Sequence, residues 1–584
     1  MSNIFKNHWL VIFFAFLVGL IIFLPNTIST VKIGQDFQGI YPTFNNDETY
    51  YLGITKEVYD GNVNSGNPFL REHKNDLALQ PLYFELIPAM EAKLLGLSVP
   101  EVFVFNDFLL PFLGVILLYI LIFSLTNNLF ISNTFSFTFY LIFATSFNRP
   151  ISPQLGFIFF LLGIFIIWKI ISKKHDLKVL LLLNVFLAIV FSGLVYIYPF
   201  YWTAIIVLYV VALLMIIIKE GGFLYWFKGC LIFALFSALF LLPYGLNMLK
   251  IIKDPSFVEA SIRNGLVFTH WPGALFNVFF ILFCLPIVYL SYEKFRNTRS
   301  LFFCFALLSS GVILNWQNVL TGKMLQFSSH YYIVTILFVF LVLSVLIKNI
   351  WQFYTEHEEK NYKKPVAVLL IAVLFLLIIY KQKIDFIDTY KNIISPLEIL
   401  NVQSLMPVLD WFNRNTPPDS VIFVLSKEYD ILIPIYTQND VYRSGYAGMS
   451  LVSDDELENR WIVQNYWGDI NADVVKNAHR SIWINKFQDT YANKEVRRKI
   501  FQLVTGNQYP ETILIEQKYI DRVLEKYNKF KEIGFEKAIK IYGVDYIILD
   551  TSDSVYSSLE LRFKKYSFLQ NIVKIGNTII YKVN

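Results

Sequence analysis

The sequence predicts a polytopic α-helical membrane protein of about eleven transmembrane helices with a soluble α/β domain at its C-terminal end. Three observations predict it. Of 584 residues, 55% are hydrophobic and only 16% charged, whereas soluble domains carry about 25% charged residues. Apolar stretches of the roughly 18–25 residues that a helix needs to cross the hydrocarbon recur along residues 1–381. From Leu400 onward the charged fraction rises, and short β-like runs alternate with helical patterns. The chain therefore divides into a transmembrane part, 1–381, and an external soluble part, 382–584.

The apolar stretches are 8–25, 101–125, 128–147, 153–172, 177–197, 202–218, 223–248, 271–292, 300–315, 331–349 and 364–381. The first follows Lys6 and is long, and no small-x-small cleavage site follows Leu24-Pro25-Asn26, so it reads as an uncleaved helix. Lysine and arginine set the orientation, because short cytoplasmic loops carry their excess. With the N-terminus inside, one inner loop holds Lys169, Lys173, Lys174 and Lys178, and the next holds Lys219 and Lys228. Then come Lys294, Arg296 and Arg299, and finally Lys348, Lys360, Lys363 and Lys364, while the turn at Asn127-Asn128 is neutral. An odd number of spans leaves the C-terminal domain external. The expected location is a cell membrane, crossed many times, with membrane lipids as neighbours. The net charge of +5 comes from 50 basic and 45 acidic residues spread widely, and no nucleic-acid partner is implied. Cys230, Cys284 and Cys304 lie in apolar runs and support neither a disulfide framework nor a zinc site.

The outer loops under this orientation are 26–100, Asn148-Arg149-Pro150, 196–202, 249–270 and 316–330. They hold the residues suited to chemistry, and the long loop 26–100 is the main candidate. It contains Asn45-Asn46-Asp47-Glu48-Thr49-Tyr50-Tyr51. Adjacent carboxylates at the edge of a bilayer need water, a cation or a substrate to offset their desolvation. On a helix, neighbouring side chains diverge by about 100°, so Asp47 and Glu48 are expected to do different work. Asp47 is placed as a general base, with Glu48 holding a metal, a backbone amide or the acceptor; the plainer reading is a helix cap at Asp47. Tyr50 and Tyr51 suit a sugar-binding wall, and Asp36 lies in the same loop.

Transfer of a sugar from a lipid phosphate needs a base for the acceptor hydroxyl and a cation for the departing phosphate. Arg149, Arg263, Lys323 and His330 are the outer-face cations for that second task. Ser329 and His330 open an apolar helix whose N-terminus favours anions, and Gly322 beside Lys323 allows close backbone approach. A snorkelling Lys323 in an ordinary loop is the alternative. No Gly-x-Ser-x-Gly, His-Glu-x-x-His or Cys-x-x-Cys pattern occurs, so hydrolase, zincin and thiol-redox readings have no support. No cofactor is implied beyond the possibility of a divalent cation. His73 and His270 read as surface or packing residues.

In the C-terminal part, 421–425, 546–549 and 578–581 read as strands and 403–415 and 518–540 as helices. Thr416-Pro417-Pro418-Asp419 stops the first helix. Ser453, three residues before Glu456, caps a helix over 453–461.

These motifs together resemble the GT-C membrane glycosyltransferases, in the branch of the protein O-mannosyltransferases and aminoarabinose transferases. The resemblance rests on Asp47-Glu48 with Tyr50-Tyr51, on Gln80-Pro81-Leu82-Tyr83-Phe84 followed by Leu95-Gly96-Leu97, and on the many-span apolar body; it extends over about 380 residues. Gln80 stands where the family's Pro-Pro-Leu-Tyr-Tyr stretch has its first proline. The resemblance implies a GT-C-like fold, a polyprenyl-phosphate-linked sugar donor, and a lipid, glycan or protein acceptor. It also implies inversion at the anomeric carbon on the external face, with Asp47 as base or acceptor-orienting carboxylate and Glu48 as its partner. No Asp-x-Asp of the oligosaccharyltransferase kind occurs in a second external loop, which argues against block transfer to asparagine. The alternative is a non-catalytic polytopic protein that binds or transports lipid-linked glycans during cell-surface polysaccharide assembly. A transporter is expected to carry ionisable residues inside its spans, and these spans read as nearly free of them. Loops 26–100 and 316–330 are expected to converge beneath the C-terminal domain.

Overall fold

A computed structural model of the chain describes residues 2–43, 46–147, 149, 151, 153–295, 299–325, 330–356, 401–552 and 554–584. The first part folds as α1 (Ser2–Ile33), α2 (Asn46–Asp60), α3 (Leu86–Leu95), α4 (Val99–Thr126), α5 (Leu129–Ile142), α6 (Gln154–Ser172) and α7 (Leu177–Ile197). It continues with α8 (Pro199–Glu220), α9 (Phe223–Ile251), α10 (Phe257–Arg263), α11 (Leu275–Phe295), α12 (Arg299–Thr321) and α13 (Tyr331–Glu356). By length and composition, eight helices among the described residues can cross a membrane: α1, α4, α6, α7, α8, α9, α12 and α13. One expected span is shorter than the sequence suggested: the stretch 128–147 contains the 14-residue α5. The expected span 271–292 falls on α11, which is 21 residues long. The expected span 364–381 and the boundary at 382 lie outside the described residues.

Local sequence explains where these helices begin and end. Ser98 and Glu101 form a capping box at the start of α4, with Pro100 in the first turn. At the other end Asn127 takes a left-handed conformation (φ 49°) and Asn128 caps α5 through Ile131, which makes the tight turn expected there. The sequence misled at α1, which continues through Pro25 to Ile33. Proline removes one helical hydrogen bond, but Asn26 and Ser29 beyond it are buried, and Asn26 Nδ2 donates to Asp107 Oδ2 of α4 at 3.2 Å. Gly19 lets α1 and α4 approach closely, since a Cβ there would meet the Phe108 carbonyl oxygen at 2.8 Å.

The loops sort onto two ends of the helical body. At one end Arg299 pairs with Glu220 at 2.6 Å and donates to the Ile171 carbonyl at 3.1 Å, joining the basic loops. At the other end loops 26–100 and 249–270 meet the C-terminal domain, and loop 316–325 lies against 249–270. There β1 (Val267–Phe268) and β2 (Lys323–Met324) pair antiparallel, linking two of the loops.

The C-terminal domain holds β3 (Val421–Val424), β4 (Asp440–Val441), β5 (Tyr546–Asp550), β6 (Leu569–Ile575) and β7 (Thr578–Val583) in the order β4-β3-β5-β7-β6. β3 runs parallel to β4 and β5, whereas β7 is antiparallel to β5 and β6. Around the sheet lie α14 (Met406–Asn415), α15 (Lys427–Tyr436), α16 (Asp454–Gln464), α17 (Ala472–Asn477), α18 (His479–Trp483), α19 (Gln488–Thr505), α20 (Gln517–Ile533), α21 (Phe535–Lys540) and α22 (Ser554–Phe563). The alternation of strand side chains builds both faces of its core. Val421 and Phe423 pack with Trp461 and Trp483, while Ile422 and Val424 pack with Leu409, Phe412 and Ile433. Ser453 accepts from the Glu456 backbone at 3.2 Å, so the expected cap forms. The helix expected over 518–540 is broken at Gly534, where φ is 83°.

A charged segment of the first loop fastens this domain down. Arg71 meets Asp545 at 2.7 Å and the Gly543 carbonyl at 2.7 Å, and Glu72 meets Arg460 at 3.1 Å. His73 bridges Asp76 at 2.6 Å and Glu456 at 3.0 Å, so of the two expected readings, surface or packing, it is the packing residue of a seam. Lys74 pairs with Asp419, with Asp440 at 3.2 Å and with Glu57 at 3.3 Å. The Glu456 hydrogen bond lifts the His73 imidazole to about 9; the Asp76 contact adds to this and burial opposes it. Burial pushes the Asp440 carboxyl up to about 7 against the pull of Lys74. Both shifts carry the same sign. A group whose folded value is raised binds a proton more tightly in the docked state, so its contribution is lost as pH rises. For Asp440 that loss spans about 4 to 7, and for His73 it spans 6.5 to about 9. The melting temperature is expected to fall from pH 6.5 to 9, and His73→Gln is expected to flatten that limb. An unchanged slope in the variant would remove His73 from the seam's pH response.

Candidate functional site

The site is assembled on the first turn of α2, where chain direction and the helical period separate the two carboxylates. Asp47 points outward, its side chain 47% exposed, and forms an ion pair with Arg149 of the short second loop. Glu48 is buried and acts electrostatically on Asp107 and Tyr436. The two acids therefore face different neighbours, as the 100° offset predicts.

Asp107 was not foreseen. It lies inside α4, within a stretch read as apolar, and corrects the expectation that the spans are nearly free of ionisable residues. Its Oδ1 accepts from Gln154 Nε2 at 2.6 Å and its Oδ2 from Asn26 Nδ2. Gln154 also donates to the Phe147 carbonyl, so one buried polar hub joins α1, α4, α6 and the turn after α5. Glu85 was missed too, although it directly follows the quoted Gln80–Phe84 motif. Burial raises its carboxyl to about 7, and it acts electrostatically on Tyr50.

A cluster of aromatic rings stands beside Asp47. Tyr51 and Tyr198 are electrostatic neighbours of Arg149. Tyr198 lies 6.3 Å, ring to ring, from His330, which stacks on Phe200 at 4.8 Å. Asp47, Tyr51, Arg149 and His330 are thus gathered around Tyr198. Tyr50 packs among Tyr51, Phe69 and Tyr446 at 5.4, 6.0 and 5.5 Å, in the seam with the C-terminal domain.

Two other expected residues stand elsewhere. Lys323 is exposed on β2 opposite Phe268, and among the described residues no contact joins it to Asp47 or Arg149. Asp36 ends a short 3₁₀ turn after α1 and is exposed. Arg263 requires a correction. It is fully buried, pairs with Asp454, and donates to the carbonyls of Gly448 at 2.7 Å and Val452 at 2.5 Å. A guanidinium with its donors engaged this way has none to offer a phosphate, so Arg263 is a strut between loop 249–270 and the C-terminal domain. Ser329 lies outside the described residues.

The C-terminal domain reaches the site through Tyr446, whose hydroxyl meets Thr49 Oγ1 at 2.5 Å. One neutral hydrogen bond of this kind contributes about 0.5–1.5 kcal/mol. Tyr446→Phe is therefore expected to loosen the first turn of α2 while the domain stays folded, seen as faster hydrogen exchange over residues 46–52. Unchanged exchange would show that the bond does not order the turn.

Among the described residues no group of three or more His, Cys, Asp or Glu side chains is placed to hold a metal ion.

No family model matches the chain, and no curated protein matches it. The chain is similar in structure to ArnT from Cupriavidus metallidurans, in the apo state (TM-score 0.45, 10% identity) and bound to undecaprenyl phosphate (TM-score 0.46, 10% identity). Each of these matches covers 96% of this chain and 97% of that one. It is also similar to the oligosaccharyltransferase of Archaeoglobus fulgidus in the apo form, with a TM-score of 0.48 and 11% identity over 95% of this chain and 71% of that one.

Proposed function

We propose that this chain is an inverting membrane glycosyltransferase that moves a sugar from a polyprenyl-phosphate donor to an acceptor hydroxyl, on the external face that carries the C-terminal domain. The observation that carries the proposal is the outward-facing Asp47 paired with Arg149 at the edge of the helical body. A base and a phosphate-binding cation are the two groups the reaction needs, and here they hold each other in the absence of substrate. A donor phosphate arriving at Arg149 competes for the guanidinium and frees the Asp47 carboxylate. Asp47 then takes the proton from the acceptor hydroxyl as its oxygen attacks the anomeric carbon. The bond from that carbon to the phosphate oxygen breaks, and the lipid phosphate leaves with the electron pair, its charge met by Arg149 and by an N–H of His330. Tyr51 and Tyr198 line the place where the sugar would lie. Glu48 is buried as an electrostatic neighbour of Asp107 and takes no proton in these steps.

The test is transfer from a panel of radiolabelled polyprenyl-phosphate sugars by the purified protein in lipid. Transfer that a chelator leaves intact and that Asp47→Asn removes supports the reading. A protein that binds lipid phosphate, consumes no donor and is indifferent to Asp47→Asn would instead be the non-catalytic glycan-binding protein.

A further inference from the structure

Helix α19 carries a broad apolar face, and only half of that face has protein beneath it. Asn493, Arg497 and Phe501 follow one another at four-residue steps along one side of the helix. Asn493 accepts from Thr269 Oγ1 at 3.2 Å. Phe501 lies 5.7 Å from the Trp271 ring, with Arg497 over the same indole. These contacts seat one side of α19, from its second turn to its fourth, on the loop that leads into α11. At 100° per residue, Val496, Leu503 and Val504 fall within the same arc of about 160° as those three residues. They are exposed, Leu503 to 87% and Val504 to 76%. Past the helix end, Tyr509 and Ile513 are exposed as well.

What lies next to this face is the lipid-facing rim of the helical body. Phe268 is exposed on β1, and Leu320, at the end of α12 beside β2, is 89% exposed. The uncovered part of α19 therefore continues the surface that the spans present to acyl chains. The helix carries Lys494, Arg497, Arg498 and Lys499 against Asp489 and Glu495, the basic excess of a helix that rests on anionic lipid.

We propose that the last turns of α19 and the chain that follows to Ile513 lie in the interfacial layer of the membrane, on the side that bears the C-terminal domain, with the apolar arc among the acyl chains and the basic residues at anionic headgroups. The inference stands on the docking of α19 beside the spans and is independent of the chemistry at Asp47.

The test places a nitroxide on Leu503→Cys, and separately on Gln502→Cys, which the helical period sets opposite the middle of the apolar arc, after Cys230, Cys284 and Cys304 are replaced by alanine. The full chain is studied in nanodiscs of phosphatidylcholine with phosphatidylglycerol. The label at Leu503→Cys is expected to collide more often with oxygen than with a water-soluble nickel chelate, and the order is expected to reverse at Gln502→Cys. Raising the share of phosphatidylglycerol is expected to widen the difference. A label at Leu503→Cys that meets the nickel chelate freely would place the helix in water and overturn the proposal. A label that is immobile and shielded from both reagents would overturn it in favour of a second copy or another protein covering the face.

Discussion

Asp47→Asn is expected to lower transfer by about 10²–10⁴-fold, the range that a positioned general base contributes. The substitution keeps the shape of the side chain and a hydrogen bond to Arg149, so the fold is expected to survive and the donor to bind as before. The loss should fall on kcat, because proton removal from the acceptor occurs only on the way to the transition state. Arg149→Ala offers the contrast. It removes the partner that holds Asp47 at rest and the cation that receives the phosphate, so KM for the donor rises along with the fall in kcat. Glu48→Gln is expected to show mainly in stability, since Glu48 is buried and faces the Asp107 hub. Equal loss of turnover in Asp47→Asn and Glu48→Gln would contradict this division of work.

The second large effect is on stability. Arg263→Ala is expected to cost about 3–5 kcal/mol, the usual consequence of removing one member of a buried ion pair. Arg263 and Asp454 are 0% and 1% exposed, and Asp454 is held in addition by Lys486 and by its own backbone donating to Glu259 at 2.7 Å. Alanine leaves the carbonyls of Gly448 and Val452 without their donor and removes the strut between loop 249–270 and the C-terminal domain. The measurement is thermal unfolding in lipid together with protease access to the 444–460 segment. A variant that melts with the parent protein would show that the C-terminal domain is held by its other contacts alone. Proteolysis should separate this strut from the Arg71–Lys74 clamp, whose failure is expected to depend on pH.

The parts that the sequence made legible are those whose cause is local. Most of the apolar runs, the Ser453 cap and the Asn127-Asn128 turn each depend on residues a few positions apart, and they stand where they were expected. The opposition of Asp47 and Glu48 was legible for the same reason, because it follows from the helical period. What escaped were features made by distant partners. Arg149 was read as a phosphate ligand, and its pairing with Asp47 depends on two loops meeting. Arg263 looked like an available cation because the carbonyls that occupy it lie in another domain. Asp107 disappeared into an apolar average, although a carboxylate in such a run can persist only where buried donors meet it. β4, only two residues long, and β6, whose polar residues face outward on an edge, offered too little alternation to be read.

The clamp at Arg71–Lys74 also sets an order of events during synthesis. Glu72 and Arg460 are 388 residues apart, which at about 5–20 residues per second is roughly 20–80 s of translation. Throughout that interval the charges of the first loop wait for a partner that has not yet been made. The helices between them must insert around a mouth that is still unfinished, and the carboxylate-bearing turn of α2 gains its outer support only when the last third of the chain arrives. A ribosome that stops before Arg460 therefore leaves behind an inserted body whose reaction face has never closed, a species that quality-control proteases can tell from the finished molecule by the bare segment 67–76.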